Sequence, residues 1–277
     1  MNSLVLSARR IGRQLGPDGL PVWVASLNDA GPFCAVEGDP FCENAYVSDR
    51  ELPAADLLAP VLPATIYGVG LNFRNHAAET GRADPEHPLI FMKARSSVQD
   101  PGAPIILPRH LRSDKVDPEA ELAIVIGKTA KNVAAGEALK HVFGFTCAND
   151  VSARDWQFEW GSGQFCRGKT FDTFCPLGPV IIPPNALGDY RERAVRQRLN
   201  GETVQEAPLA DLIFSVERII EFLSGSTTLQ PGTVILTGTP AGVGQSRTPP
   251  RYAQPGDVID VEIDGIGTLT NPVIEES

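Results

Sequence analysis

The run Glu119-Ala-Glu121-Leu-Ala-Ile-Val-Ile-Gly127 places two carboxylates two residues apart inside an otherwise apolar segment. Side chains alternate faces along a strand, so both carboxylates share one face. Ile124, Val125 and Ile126 carry apolar character onto both faces, which reads as a strand buried on each side. One unpaired buried carboxylate is costly and two side by side repel, so this strand calls for a compensating cation. Asp150, in Asn149-Asp150-Val-Ser-Ala-Arg154-Asp-Trp-Gln157, offers a third oxygen from a loop. Three carboxylates with no Cys or His nearby favour Mg²⁺, Mn²⁺ or Ca²⁺ over Zn²⁺.

The rest of the chain bounds what such a site can serve. Among 277 residues, 42% are hydrophobic and 21% charged, enough for a globular core and unlike a disordered chain. A net charge of -10 argues against nucleic acid or an anionic membrane as partner, and requires that a small anionic substrate meet a local basic patch. The five cysteines form no C-x-x-C pair and the N-terminus lacks the apolar stretch of a signal peptide, so reduced thiols and a cytoplasmic location are expected. No window reaches the roughly 20 apolar residues that span a bilayer.

Residues 1–62 mix short apolar stretches with turn-prone Gly16-Pro-Asp-Gly19 and read as a small β-rich N-terminal domain. Pro60-Val-Leu-Pro63 reads as a linker, and 63–277 as the catalytic domain. There, Thr65–Gly70, Pro88–Lys93 and Glu121–Gly127 read as strands and Leu71–Glu79 as a short helix. Ala135–Phe143 fits an amphipathic helix with Leu139, Val142 and Phe143 on one side, and Ser215–Ser224 a second. Asn200-Gly201 and Asp264-Gly265 signal hairpins. Strands outnumber helices without alternating regularly with them, which predicts a β-dominated α+β fold.

His76 and Glu79 fall at i and i+3 of the first helix, just after a glycine-flanked strand end where a side chain can face a cleft. An adjacent carboxylate would fix the imidazole tautomer and let His76 take a proton from water. Lys169, Lys93, Arg95, Arg154 and Gln157 together could form the basic pocket. Gly68-Val-Gly70 lacks the third glycine of a dinucleotide fingerprint and Gly238–Gly244 lacks the lysine of a P-loop, but Thr237-Gly-Thr239 can still bring a hydroxyl and N–H groups to a ligand.

Taken in order, these segments resemble the fumarylacetoacetate hydrolase family. The likeness runs through Gly68-Val-Gly-Leu-Asn-Phe-Arg-Asn-His76-Ala-Ala-Glu79, Phe91-Met-Lys-Ala-Arg-Ser-Ser97, Pro118-Glu-Ala-Glu121, Gly144 to Gln157, Gly168-Lys-Thr-Phe-Asp172, Leu236 to Gly244 and Pro255-Gly-Asp257. The resemblance implies a mixed β-sandwich roll, a homodimer and Mg²⁺ or Mn²⁺ held by Glu119, Glu121 and Asp150. It also implies a water-activating dyad in His76 and Glu79, a lysine assisting the departing enolate in Lys169, and substrate contacts from Gln157 and Thr239, with Lys93 and Arg154 at further family positions. Ala94 and Pro118 stand where many members have proline and an aromatic residue.

These readings lead to the expectation of a metal-dependent hydrolase that cuts a carbon–carbon bond in a β-diketo acid of the acylpyruvate type, its 2-oxo-carboxylate end meeting the cation. Decarboxylation of oxaloacetate or isomerisation of a 2-hydroxydienoate could use the same site. A non-catalytic protein that binds a small acid is the alternative of another class.

Overall fold

The computed structural model describes residues 3–277. The run after Glu119 forms the strand Ala120–Ile126, and all seven of its residues are buried. Leu122, Ile124 and Ile126 enter one apolar core while Ala123 and Val125 enter another on the opposite face. No face of the strand is solvated, so the carboxylates at 119 and 121 sit among buried neighbours.

This strand lies deep in a mixed sheet of thirteen strands among the described residues. It pairs antiparallel with Val142–Asn149 on one side and with Val234–Leu236 on the other. Beyond Val234–Leu236 the sheet continues through Ile66–Gly70, in parallel, and then Leu89–Lys93. Beyond Val142–Asn149 it passes through Cys175–Ile182, which meets the N-terminal strand Arg10–Leu15 at Ile181 and Ile11. A second, five-stranded sheet runs Ile105–Leu107, Gly267–Glu275, Val258–Ile263, Ala194–Leu199, Glu202–Pro208. Its Val195, Ala207, Val261 and Leu269 share a core with Leu122, Ile124 and Phe145, and the helix Val216–Ser224 adds Val216, Ile219 and Ile220. Burying such side chains stabilises by about 1.5–3 kcal/mol each, which anchors the Glu-bearing strand from both sides.

Both hairpins form where the Asn-Gly and Asp-Gly pairs place them. Ser215 caps the helix Val216–Ser224 by accepting the Arg218 N–H. The expected helix over 135–143 does not form. Residues Ala135–His141 make a 3-10 helix with Leu139 exposed, and Val142 and Phe143 open the strand Val142–Asn149. The β-branched and aromatic run Val142-Phe-Gly-Phe-Thr146 goes to the sheet, where Val142 and Phe143 face different cores. The helix read over 71–79 is shorter, Arg74–Glu79, because Leu71 turns with φ 52° and Phe73 is extended and bridged to Leu212. No helix among the described residues is long and apolar enough to cross a membrane.

Candidate active site

The strand register explains why three carboxylates meet. Ala120 pairs with Asn149, so Glu119 lies opposite Asp150, whose N–H donates to the Glu119 carbonyl at 2.9 Å. Glu121 joins them from one step along the same face, and one oxygen from each of the three falls within 4.8 Å of the others. All three residues are buried.

Their partners are unequal. Arg154 donates to Glu119 at 2.5 Å and to Asp117 at 2.9 Å. Lys169 Nζ bridges Glu119 at 2.7 Å and Asp150 at 2.5 Å, and Lys93 Nζ reaches Asp150 at 2.6 Å. Among the described residues Glu121 meets no cation in this way, and it accepts the Gly238 N–H at 2.6 Å. Gly238 adopts φ 102°, and a Cβ there would come within 2.7 Å of Asn72 Cβ, so the N–H can be aimed at Glu121 only from a glycine. Burial opposes ionisation of Glu119, but Arg154 and Lys169 overcome it and hold its carboxyl well below the usual range. Burial pushes the Glu121 carboxyl well above that range, and Asp150 and Glu119 push it further. Burial would lower Lys169, yet Asp150 and Glu119 raise it overall.

Four buried carboxylates (Asp117, Glu119, Glu121, Asp150) thus face three buried cations (Lys93, Arg154, Lys169). The excess negative charge concentrates at Glu121, on a convergent set of hard oxygen donors. This donor set fits a divalent cation of the Mg²⁺ or Mn²⁺ kind.

The cluster faces a cavity of about 330 Å³, whose wall also includes His76, Phe91, Arg154, Gln157, Lys169 and Thr239. This is at the small end of ligand pockets. His76 Nδ1 lies 3.0 Å from Glu79 Oε2, while Glu79 Oε1 accepts the Gly242 N–H at 2.9 Å. A carboxylate only accepts, so Nδ1 carries the proton and Nε2 is the basic nitrogen. The expected Gln157 accepts from Arg154 Nη1 at 2.9 Å on a wide turn over Asp155–Glu159, closed by the Trp160 N–H to the Asp155 carbonyl. Thr239 donates to the Ala120 carbonyl at 3.0 Å. Lys93 is not on the cavity wall: it sits behind Asp150, also donating to the Val151 carbonyl. Arg95 is exposed elsewhere.

Two supporting residues escaped the sequence reading. Asp117 continues the same alternation one step earlier and holds Arg154 while accepting the N–H groups of Gly244 and Gln245. Gln205 accepts the Ala120 N–H and donates to Thr239 and the Pro240 carbonyl, tying the second sheet to the Glu-bearing strand. The spacing of Asp117 was a usable signal; nothing local marks Gln205.

Residues 65–274 match the fumarylacetoacetate (FAA) hydrolase C-terminal family. The chain belongs to this family. Among relatives, it is 45% identical over 219 residues to a Xenopus laevis protein named oxaloacetate tautomerase fahd2, mitochondrial, spanning 79% of this chain and 68% of that one. The family fold is seen in a Mycobacterium smegmatis structure named 5-carboxymethyl-2-hydroxymuconate delta-isomerase, with TM-score 0.84 and 39% identity over 96% of this chain and 100% of that one. A Mycobacterium marinum structure named 2-hydroxyhepta-2,4-diene-1,7-dioate isomerase aligns with TM-score 0.83 and 37% identity over 98% of this chain and 100% of the other. These three are named for tautomerase and isomerase activities, whereas the sequence reading led with hydrolysis and kept isomerisation and decarboxylation as alternatives.

Proposed function

We propose that the chain moves a proton at the carbon beside the keto group of a small 2-oxo acid, interconverting its keto and enol forms. The observation that carries this reading is a basic imidazole nitrogen and a fixed ammonium on the wall of one small cavity floored by the three carboxylates. The names of the family relatives support the same class of chemistry. Glu119, Glu121 and Asp150 would hold Mg²⁺ or Mn²⁺, which when bound supplies electrophilic stabilisation of the substrate's keto oxygen. His76 Nε2 takes the proton from C3, and Glu79 stabilises the imidazolium. Lys169 keeps its proton, because Asp150 and Glu119 hold it above its ordinary range, so it contributes charge beside the developing enolate. The net change is one proton transferred between C3 and the C2 oxygen, with no redox partner.

Carbon–carbon hydrolysis of an acylpyruvate is the second reading, favoured by the His76–Glu79 pair, which could equally deprotonate water. An assay separates them. Enol-rich oxaloacetate and a panel of acylpyruvates are incubated with the Mg²⁺-loaded protein while enol absorbance and pyruvate release are followed. Proton transfer predicts accelerated enol decay without matching pyruvate; stoichiometric pyruvate and free acid from an acylpyruvate would establish hydrolysis. No change with any substrate would sink both.

Under either reading, H76Q should lower turnover by about 10²-fold or more, while the thermal stabilisation by Mg²⁺ stays at the wild-type level, since His76 bonds to no member of the acidic cluster. E79Q should cost less, because His76 remains. Loss of the Mg²⁺ response in H76Q would contradict this assignment.

A further inference from the structure

A second cavity, of about 620 Å³, shares no wall residue with the one above the carboxylates. It lies where the start of the N-terminal strand Arg10–Leu15 meets the short helix Pro184–Leu187 and the Asp264-Gly265 hairpin of the five-stranded sheet. Arg9, Arg10 and Arg193 stand on its wall with Asp29, Glu262 and Asp264. The three carboxylates are matched by other arginines. Asp29 takes two hydrogen bonds from Arg9, Asp264 one from Arg196 at 2.6 Å, and Glu262 is held by Arg198 and by Arg196 at 3.4 Å. Arg10 and Arg193 form no ion pair among the described residues, and each donates a single side-chain hydrogen bond, to a backbone carbonyl.

Both guanidiniums are nevertheless held in place. Arg10 lies over the Phe33 ring, 4.8 Å from its centre, and its Nη2 donates to the Gly31 carbonyl at 2.6 Å. Arg193 Nη2 donates to the Leu187 carbonyl at 2.5 Å. The hairpin confines it further: Gly265 adopts φ 82°, and a Cβ built there would lie 3.8 Å from Arg193 Nε. Of the five donors of each guanidinium, one is used. The Nε atoms of both are buried without a hydrogen-bond partner, and neither Nη1 donates to any of the described residues. Partly buried cations with most of their donors idle are unfavourable unless an anion completes them.

Three acid–base pairings therefore leave two positive charges uncompensated on one cavity wall, in a chain whose net charge is -10. A phosphate monoester carries about -1.5 to -2 at neutral pH, which balances both, whereas a single carboxylate balances one. Arginine forks also match phosphate oxygens in geometry. The volume is in the range of small-molecule sites, and Ile182 and Ile266 give the wall an apolar stretch for the organic part of an ester. We propose that this cavity is a second ligand site, for a small organic phosphate whose phosphate group bridges Arg10 and Arg193. Arg10 opens an N-terminal strand and Arg193 leads into the strand Ala194–Leu199 of the five-stranded sheet, so the bound ester links the two. The site is independent of the proton-transfer reading.

Calorimetric titration of the Mg²⁺-loaded full chain with glycerol 3-phosphate and with inorganic phosphate tests this. Wild type should bind the ester, more tightly than inorganic phosphate, and gain thermal stability from it. R10Q and R193Q should each weaken the ester by about tenfold or more. R10K and R193K should recover part of the loss, since lysine restores the charge without the fork. R193Q also loses the bond to the Leu187 carbonyl; if it does not fold, R10Q decides. E121Q, which should lose its response to Mg²⁺, should bind the ester as wild type does, because its substitution lies in the other cavity. No binding of either phosphate by wild type, wild-type affinity in R10Q, or loss of binding in E121Q, which would put the phosphate on the carboxylate-bound metal, overturns the site.

Discussion

E121Q will raise the melting temperature of the metal-free protein and abolish its response to Mg²⁺, whereas E119Q will lower it. The two residues share a face and a proposed ligand, yet their electrostatic settings are opposite. Glu121 is buried beside Asp150 and Glu119 with one N–H as partner, so ionising it in the folded protein is unfavourable. Its carboxyl is raised above the ordinary 4.5, so wild-type stability without metal is lost as pH climbs from that value toward neutrality. Burying this carboxyl beside two others therefore costs stability at neutral pH. A glutamine keeps the acceptor for Gly238 and removes that cost, giving a rise of several degrees and a flatter dependence on pH. In wild type, Mg²⁺ at a hundred times its dissociation constant should add about 2.7 kcal/mol, and E121Q should lack this gain.

Glu119 is held below the ordinary range by Arg154 and Lys169, so E119Q leaves two buried cations underpaired. Such a loss typically costs about 3–5 kcal/mol. Both variants should lose turnover by at least about 10³-fold. Differential scanning calorimetry with and without Mg²⁺, at pH 5 and pH 7.5, checks all of this. A destabilised E121Q, or one that still gains from Mg²⁺, would refute the assignment of Glu121 as the site's uncompensated charge.

The contrast between 119 and 121 also separates what local sequence dictates from what only the assembled sheet sets. Period-two alternation in an apolar run was enough to place both glutamates on one face and to call for a cation. The Asn200-Gly201 and Asp264-Gly265 turns and the helix after Ser215 were equally legible, because turn and cap chemistry is local. The register that sets Asp150 opposite Glu119 was not, since it depends on pairing strands about 30 residues apart in the chain. The segment 135–143 misled for a related reason: Leu139, Val142 and Phe143 fit a helical stripe, but the sheet's demand for Val142 to Thr146 overrode it. No spacing rule says which cation serves which carboxylate: Lys93, which its sequence neighbourhood groups with the pocket, buttresses Asp150 from behind.

K169M should separate the structural from the chemical work of the buried ammonium. Lys169 is fully buried between Glu119 and Asp150, its Nζ 4.7 Å from the centre of the Phe91 ring. Methionine fills the stem's volume but leaves two carboxylates without their shared cation, so the metal-free variant should lose about 3–5 kcal/mol. The remaining cluster is then more negative, and Mg²⁺ should stabilise K169M by more than it stabilises wild type. Turnover should nevertheless stay down by about 10²–10³-fold at saturating Mg²⁺, the scale of removing one fixed positive partner from a developing oxyanion. Adding E121Q relieves part of the same repulsion, so K169M/E121Q should be more stable without metal than K169M alone, a coupling that distant sites would not show. A K169M protein that turns over normally once loaded would make Lys169 only a counter-charge for Glu119 and Asp150; one whose gain from Mg²⁺ is smaller than wild type would mean that the ammonium does not compete with the cation for those carboxylates.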